Sequence, residues 1–294
     1  MIPPLDTLRL LASLFTRPTF AALARTDDCR AVLGPLLKAG IVRKQTGFQT
    51  PLSAVFEEAS TYLSKYYRNE YIYKNDLASR IIFGRHSPRT AGFQVELPIG
   101  RSIIDVAVAN GTTTAYEIKT EFDSAKRLKS QTVDYLKVFD RVFVVTHPAH
   151  VARFESELDC RVGLILLGAT GKMTTYRDAQ SNRGNIIPAA VFRCLRQTEY
   201  LSAINDLFGA VPQLSNGLIG SHCESLFATI PAGIAHEIFV KSLRARTTDG
   251  NTVQFIASLP PSLRALGYAT PLSGRQRNDV LSLLKSDSGF SIAL

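Results

Sequence analysis

The chain changes its hydrophobic period twice. Between residues 5 and 60, apolar positions recur at helical spacing. Leu8, Leu11, Leu14 and Phe15 fall on one face. Phe20, Leu23 and Ala24 begin a second helix after Pro18, and Val32, Leu33, Leu36 and Leu37 make a third. Asp27 or Asp28 can cap the third helix, and Gly40 can end it. IVRKQTGFQT then predicts a small hairpin around Gly47, so this region has the outline of a winged helix or of a helical cap. A further helical stretch, 54–83, carries Tyr62, Tyr66, Tyr67, Tyr71 and Tyr73, a spacing that suits helix packing better than base stacking.

The period then shortens. FQVEL (93–97), SIIDVAVA (102–109) and TTTAYEIKT (112–120) predict three strands, with Asn110-Gly111 as a turn. A helix follows over 123–139, capped by Asp123 or Ser124, and then a nearly all-apolar strand, RVFVVT (141–146). Residues 148–158 read as helix, 161–168 as a buried strand and 172–178 as an edge strand. After residue 186 the pattern is helical again, with a loose division near Pro212 to Gly217. The expected fold class is α/β, a central mixed sheet flanked by helices, with helical N- and C-terminal regions. Three parts are expected: a helical region 1–54, a core 55–185 and a mainly helical region 186–294.

Composition narrows the function classes. The 294 residues carry a formal net charge of +9, which favours polyanionic partners. Residues 61–210 hold the largest excess, twenty Lys/Arg against fifteen Asp/Glu, so there is no basic tail. No apolar run reaches membrane-spanning length, and no secretory signal is recognisable, so a cytoplasmic protein without membrane contact is expected. Cys29, Cys160, Cys194 and Cys223 form no CxxC pair, which argues against a zinc knuckle or a disulfide framework.

The chemistry lies in Asp105, Glu117 and Lys119. Charges inside apolar strands are expensive to bury unless they meet partners. Parity decides whether these three meet. A two-residue turn would place Asp105 opposite Tyr116 and send Glu117 to the other face. A three-residue turn, with Gly111 in the left-handed region, would place Asp105 opposite Glu117, with Lys119 on the same face. Two carboxylates and a lysine gathered in this way suit a divalent ion and a phosphate, with the Ile118 carbonyl as a further oxygen donor. A salt-bridged sheet face is the alternative. His147 with His150, His236-Glu237 and GATGK (168–172) lack the spacings of a zinc site, a metalloprotease or a phosphate loop.

With these residues in view, the segment IIDVAVANG…YEIKTEFD…Q…DYLKVFDRVFVV resembles the PD-(D/E)XK nuclease superfamily, in particular its small bacterial sce7726 branch. The resemblance spans roughly residues 55–180 and lacks the proline before Asp105. It implies a restriction-endonuclease-like core in which Asp105, Glu117 and Lys119 form the metal site, with Ile118 lending its carbonyl. It also implies Glu70, in YRNEYIYKN, as an extra acidic ligand, and Gln131 with Tyr135 as the Gln-x-x-x-Tyr pair of the following helix. Arg101, Lys126, Arg127 and Tyr135 are candidate phosphate contacts. Glu96 and Glu121 are competing acids.

The expected function is Mg²⁺- or Mn²⁺-dependent phosphodiester hydrolysis of nucleic acid, with DNA as the expected partner, in bacterial defence or repair. A non-catalytic nucleic-acid-binding or regulatory protein and a protein-interaction module are the alternatives.

Overall fold

In the computed structural model, residues 3–44, 49–168, 171–211 and 213–294 are described. The hairpin expected around Gly47 and part of GATGK lie outside them. The chain opens with α1 (Leu5–Ala12), α2 (Arg17–Ala22), α3 (Cys29–Lys38), β1 (Val42–Lys44), α4 (Leu52–Tyr66) and α5 (Glu70–Leu77), which runs on as a π-helical stretch, Ala78–Arg85. Strands β2 (Gly92–Ile99), β3 (Ser102–Ala109) and β4 (Thr113–Lys119) follow. Next come α6 (Leu128–Leu136), β5 (Arg141–Thr146), α7 (Val151–Glu155), β6 (Gly163–Leu167) and β7 (Met173–Arg177). The remainder is α8 (Pro188–Phe192), α9 (Gln197–Phe208), α10 (Asn216–Phe227), α11 (Ala232–Ala245), α12 (Gly250–Ser258), α13 (Arg264–Ala269), α14 (Gly274–Lys285) and β8 (Phe290–Ile292).

These elements form two compact units, Met1–Pro88 with Asp249–Leu294, and Arg89–Thr248. The boundaries expected at 54/55 and 185/186 therefore fall inside units, as does the division near Pro212. Burial explains the grouping. In the first unit, Leu11, Phe15, Phe20, Leu33 and Phe56 share one core with Phe255, Leu263, Val280 and Leu284 from the far end of the sequence. There β1 pairs antiparallel with β8, Val42 opposite Ile292. Asp28 caps α3 by accepting from Arg30 N at 2.9 Å, and Gly40 follows the helix with φ 70. Tyr71 stacks on Phe15 at 5.0 Å and Tyr73 is buried, as packing residues.

The second unit is a six-stranded mixed sheet in the order β2-β3-β4-β5-β6-β7, flanked by helices. The first three strands are antiparallel, β4, β5 and β6 are parallel, and β7 closes the edge antiparallel. The parallel pairs require crossovers, which α6 and α7 supply. Ala107, Ala115, Val142, Val144 and Leu164 share a core with Leu128 and Tyr135 of α6, with Val191 and Phe192 of α8, and with Phe239 and Leu243 of α11. Gly92 permits the closest helix approach, since a Cβ there would lie 2.5 Å from Leu243 O. The central strand β4 is buried along its whole length, so its charged residues depend on partners within the protein.

Candidate functional site

The β3–β4 hairpin fixes the parity. Ala109 pairs with Thr113 and Val106 with Tyr116 across Asn110-Gly111-Thr112, with Gly111 at φ 72. The three-residue turn is thus the one present, and its register continues to Asp105 opposite Glu117. There the regular ladder stops. Strand alternation would aim Ile118 N at Ile104, but Ile118 N donates to Asp105 Oδ2 at 2.8 Å. The aspartate side chain takes over a main-chain bond and opens the hairpin at its polar end. On the other flank Glu96, which the β2–β3 register sets opposite Asp105, is exposed and has φ 55. For a residue with a Cβ that conformation costs about 1–2 kcal/mol.

Glu117 and Lys119 are only 2% and 7% exposed, and they bind each other. Lys119 Nζ donates to Glu117 Oε1 at 2.7 Å and to Gln131 Oε1 of α6 at 3.1 Å. The Tyr135 hydroxyl lies 2.8 Å from both Glu117 Oε2 and Ile103 O and shares its one proton between them. Burial, and then the negative charges of Glu117 and Asp105, push that phenol far above its ordinary range, so it remains a donor. Gln131 and Tyr135 stand one helical turn apart and reach the same lysine–glutamate pair.

Exposed cations lie along the same chain segment. Arg101 follows Gly100 in the β2–β3 turn, and Lys126, Arg127 and Lys129 occupy the start of the helical segment. Asp134 fastens the turn to α6, accepting from Ser102 Oγ at 2.9 Å and Lys137 Nζ at 2.8 Å. Burial alone would raise the Asp134 carboxyl, but these donors outweigh it and hold it below its usual range. The expected cap at Asp123 or Ser124 is corrected. Asp123 Oδ2 turns back to take both donors of Thr120, each at 2.8 Å, while Ser124 makes no capping bond and the helix opens with a 3-10 turn at Ala125. The carboxylate serves the strand end because the Thr120 N–H and hydroxyl both lie within its reach.

Glu70 belongs to the first unit, in the first turn of α5, where it pairs with Lys74 one helical turn on. Asp105, Glu117, Lys119, Gln131 and Tyr135 come together within the second unit. Among the described residues, no group of three His, Cys, Asp or Glu side chains is arranged to hold a metal ion. No helix among them is long and apolar enough to cross a membrane.

A second polar cluster, not anticipated from the sequence, closes the turn end of the same hairpin. Asp140 accepts from Thr112 Oγ1 at 2.7 Å, Ser181 Oγ at 2.5 Å and Asn182 N at 2.9 Å. His236 of α11, 1% exposed, accepts from Thr113 N at 3.3 Å through Nε2. Burial pushes the imidazole below its ordinary range, against the pull of Asp140. Burial would raise Asp140, but its donors win and hold it low. The sequence signal was slight: one acid at the end of α6 and one histidine in an apolar helix 96 residues apart.

Comparison with known proteins places the chain. The family model described as bacteriophage P4 protein cII matches residues 64–259. The chain belongs to the bacteriophage P4 cII protein family. Protein cII of Enterobacteria phage P4 is 30% identical over 79 residues, which cover 27% of this chain and 30% of that protein. The chain thus spans less than a third of that relative's length. Among solved structures, a Silicibacter pomeroyi protein of unknown function is 19% identical and covers 40% of this chain and 80% of its own, with a TM-score of 0.28. The family match includes β3, β4 and α6, so the acid–lysine cluster lies inside the shared region.

Proposed function

We propose that the Arg89–Thr248 unit of this cII-family protein is a metal-dependent nuclease core of the PD-(D/E)XK type that hydrolyses phosphodiester bonds in nucleic acid, with DNA as the substrate. One observation carries the proposal: the hairpin register sets Asp105 opposite Glu117, while Lys119 and the α6 residues Gln131 and Tyr135 converge on the same glutamate. The element order of hairpin, strand, helix and parallel strand supports a restriction-endonuclease-like core.

The donor set suits a hard divalent cation. Asp105 and Glu117 offer oxygen. Mg²⁺ needs few protein ligands because it keeps several waters. Asp105, Glu117 and the Ile118 carbonyl would hold Mg²⁺ or Mn²⁺. Such an ion supplies charge neutralisation at the phosphate and lowers the pKa of water. The chain's own part is positional. Lys119, held by Glu117 and Gln131, offers protons to phosphate oxygens as negative charge builds on them. Tyr135 fixes the Glu117 carboxylate. Arg101, Lys126 and Arg127 supply cations for flanking phosphates. In the hydrolysis a water oxygen bonds to phosphorus and gives up one proton to solvent, the bond to one sugar oxygen breaks, and that oxygen leaves with a proton taken from solvent.

The test is cleavage of linear and circular duplex DNA, single-stranded DNA and RNA, each with Mg²⁺, Mn²⁺ or EDTA. Asp105→Asn is the control, because the amide oxygen can still accept from Ile118 N and the fold is kept. Wild type should cut only with metal, and the variant should be slower by about a hundredfold or more. Equal cutting by both would refute the assignment. No cutting by folded protein, with binding retained on the same panel, would favour the non-catalytic reading.

A further inference from the structure

In the first unit, α3 buries Val32, Leu33 and Leu36 and turns a different stripe outward. Arg30, Ala31, Gly34, Pro35 and Lys38 share that stripe by helical spacing, and all but the half-buried Gly34 are exposed. A cation stands at each end, and small residues fill the middle. Gly34 faces open space, since a Cβ there would meet nothing within 4 Å. The chain then turns at Gly40 into β1, where Val42 is buried and Arg43 and Lys44 are exposed. From Cys29 to Lys44 there are four cations and no acid. Among the described residues, none of the four enters an ion pair. Asp27 and Asp28 precede the stripe, and Asp28 is engaged as the cap of α3. Arg30 lies in the first turn, where a positive charge opposes the helix dipole, so helix stability does not account for it.

A face of one sign calls for a polyanion, and its dimensions choose among polyanions. Arg30 and Lys38 are eight residues apart, a rise of about 12 Å along α3. The major groove of B-form DNA is also about 12 Å wide and admits an α-helix, with a phosphate backbone on either side. The low middle of the stripe lets the helix sit close while its end cations reach opposite backbones. β1 continues from the C-terminal end of α3 and adds Arg43 and Lys44 for neighbouring phosphates. Duplex RNA has a major groove too narrow for a helix, and a single strand holds no fixed groove. Ala31, Gly34 and Pro35 bring no hydrogen-bonding side chain to a base edge, so the contacts are with the backbone. We infer that α3 and β1 form a duplex-DNA-binding face that grips phosphates and reads little sequence. This face goes beyond the hydrolytic reading and does not depend on it, because it uses neither a metal ion nor Asp105.

The experiment measures binding of the full chain to labelled nucleic acid by fluorescence anisotropy, in EDTA and across a range of salt. The probes are one sequence as duplex DNA, single-stranded DNA and duplex RNA, and a second DNA duplex of unrelated sequence. Wild type should bind the two DNA duplexes equally and more tightly than the other probes. Lys38→Ala combined with Arg43→Ala should weaken duplex binding at least about tenfold and lower the slope of log affinity against log salt by about 2. Gly34→Ala should bind as wild type does. Gly34→Glu should bind at least about tenfold more weakly, because it sets a carboxylate against the phosphates. Both Gly34 variants replace a helix glycine with a better helix former, so neither should melt below wild type. Lost binding in a variant that keeps its fold marks a contact rather than a structural role. The inference is overturned if Gly34→Glu and the double variant bind as wild type does, or if wild type prefers single strand, duplex RNA or one of the two DNA sequences. It is equally overturned if folded wild type binds no duplex. The nuclease reading is judged separately, by metal-dependent cutting and its loss in Asp105→Asn, a variant that should bind here as wild type does.

Discussion

The two ends of the β3–β4 hairpin are both closed by polar groups, yet they are built on opposite terms. At the turn end one carboxylate, Asp140, collects neutral donors from Thr112, Ser181 and Asn182, and His236 meets Thr113 in its neutral form. At the open end the Glu117 carboxylate is paired with Lys119, and Asp105 replaces a strand hydrogen bond. In the first arrangement the carboxylate is surrounded by short-range neutral donors. The second brings ionised groups together at a place where the ladder has parted. Burial alone does not separate a structural cluster from a functional one. The interruption of regular structure at Asp105 is what sets the open end apart.

The sharpest way to break this comparison is to remove Lys119. With the ammonium gone, Glu117 is a buried charge without its cation, and Lys119→Ala should lose about 3–5 kcal/mol in urea denaturation. If the cluster holds a divalent ion, millimolar Mn²⁺ should return part of that loss, whereas Asp105→Asn combined with Lys119→Ala should gain nothing from it. Absence of any metal-dependent stabilisation would make the open end a structural salt bridge like any other. The turn end should behave differently. Asp140→Ala strands the donors of Thr112, Ser181 and Asn182 and should cost about 2–3 kcal/mol, with no recovery in Mn²⁺. Recovery there would erase the distinction.

The open end was legible in the sequence for a physical reason. Asp105, Glu117 and Lys119 stand in runs of apolar residues where an unpaired charge would be prohibitive, and the parity of a strand restricts the turn to odd lengths if they are to meet. Gln131 and Tyr135 came from the resemblance to the nuclease family, and helical spacing agrees in setting them one turn apart. The turn end was not legible, because its partners come from β4, the end of α6, residues 181–182 and α11, and nothing local marks them as neighbours. The same limit hid the pairing of β1 with β8 and the joining of residues 1–88 to 249–294. Helical periodicity says that a face will be covered but not by what.

The smallest expected effect is a pH dependence confined to the turn end. The folded state holds His236 below its ordinary 6.5, so protonation works against folding. The stability contributed by the neutral ring is full above pH 6.5 and is lost as pH falls through the lowered folded value. Asp140, held below its ordinary 3.8, keeps its charge across that window and does not mask the effect. Melting temperatures recorded from pH 7.5 to 5 should therefore fall more steeply for wild type than for His236→Gln, which retains an acceptor and does not titrate. Parallel curves would remove His236 from the account.

The turn Asn110-Gly111-Thr112 works as a frame marker for the chemistry downstream. Substituting any one of its residues would change how well the hairpin closes. Closing the same sequence one residue earlier, on Ala109 and Thr112, would change which letters of β4 are read on the acidic face, offering Tyr116 and Ile118 to Asp105 in place of Glu117 and Lys119. The strand would still be a strand and still apolar enough to bury, and the site would be erased without a single one of its residues being touched. The closing pair of this turn is therefore under a stricter constraint than the identity of its residues, and a relative that keeps the acids and the lysine but closes the turn on a pair of the other parity would carry the same residue types without the same constellation.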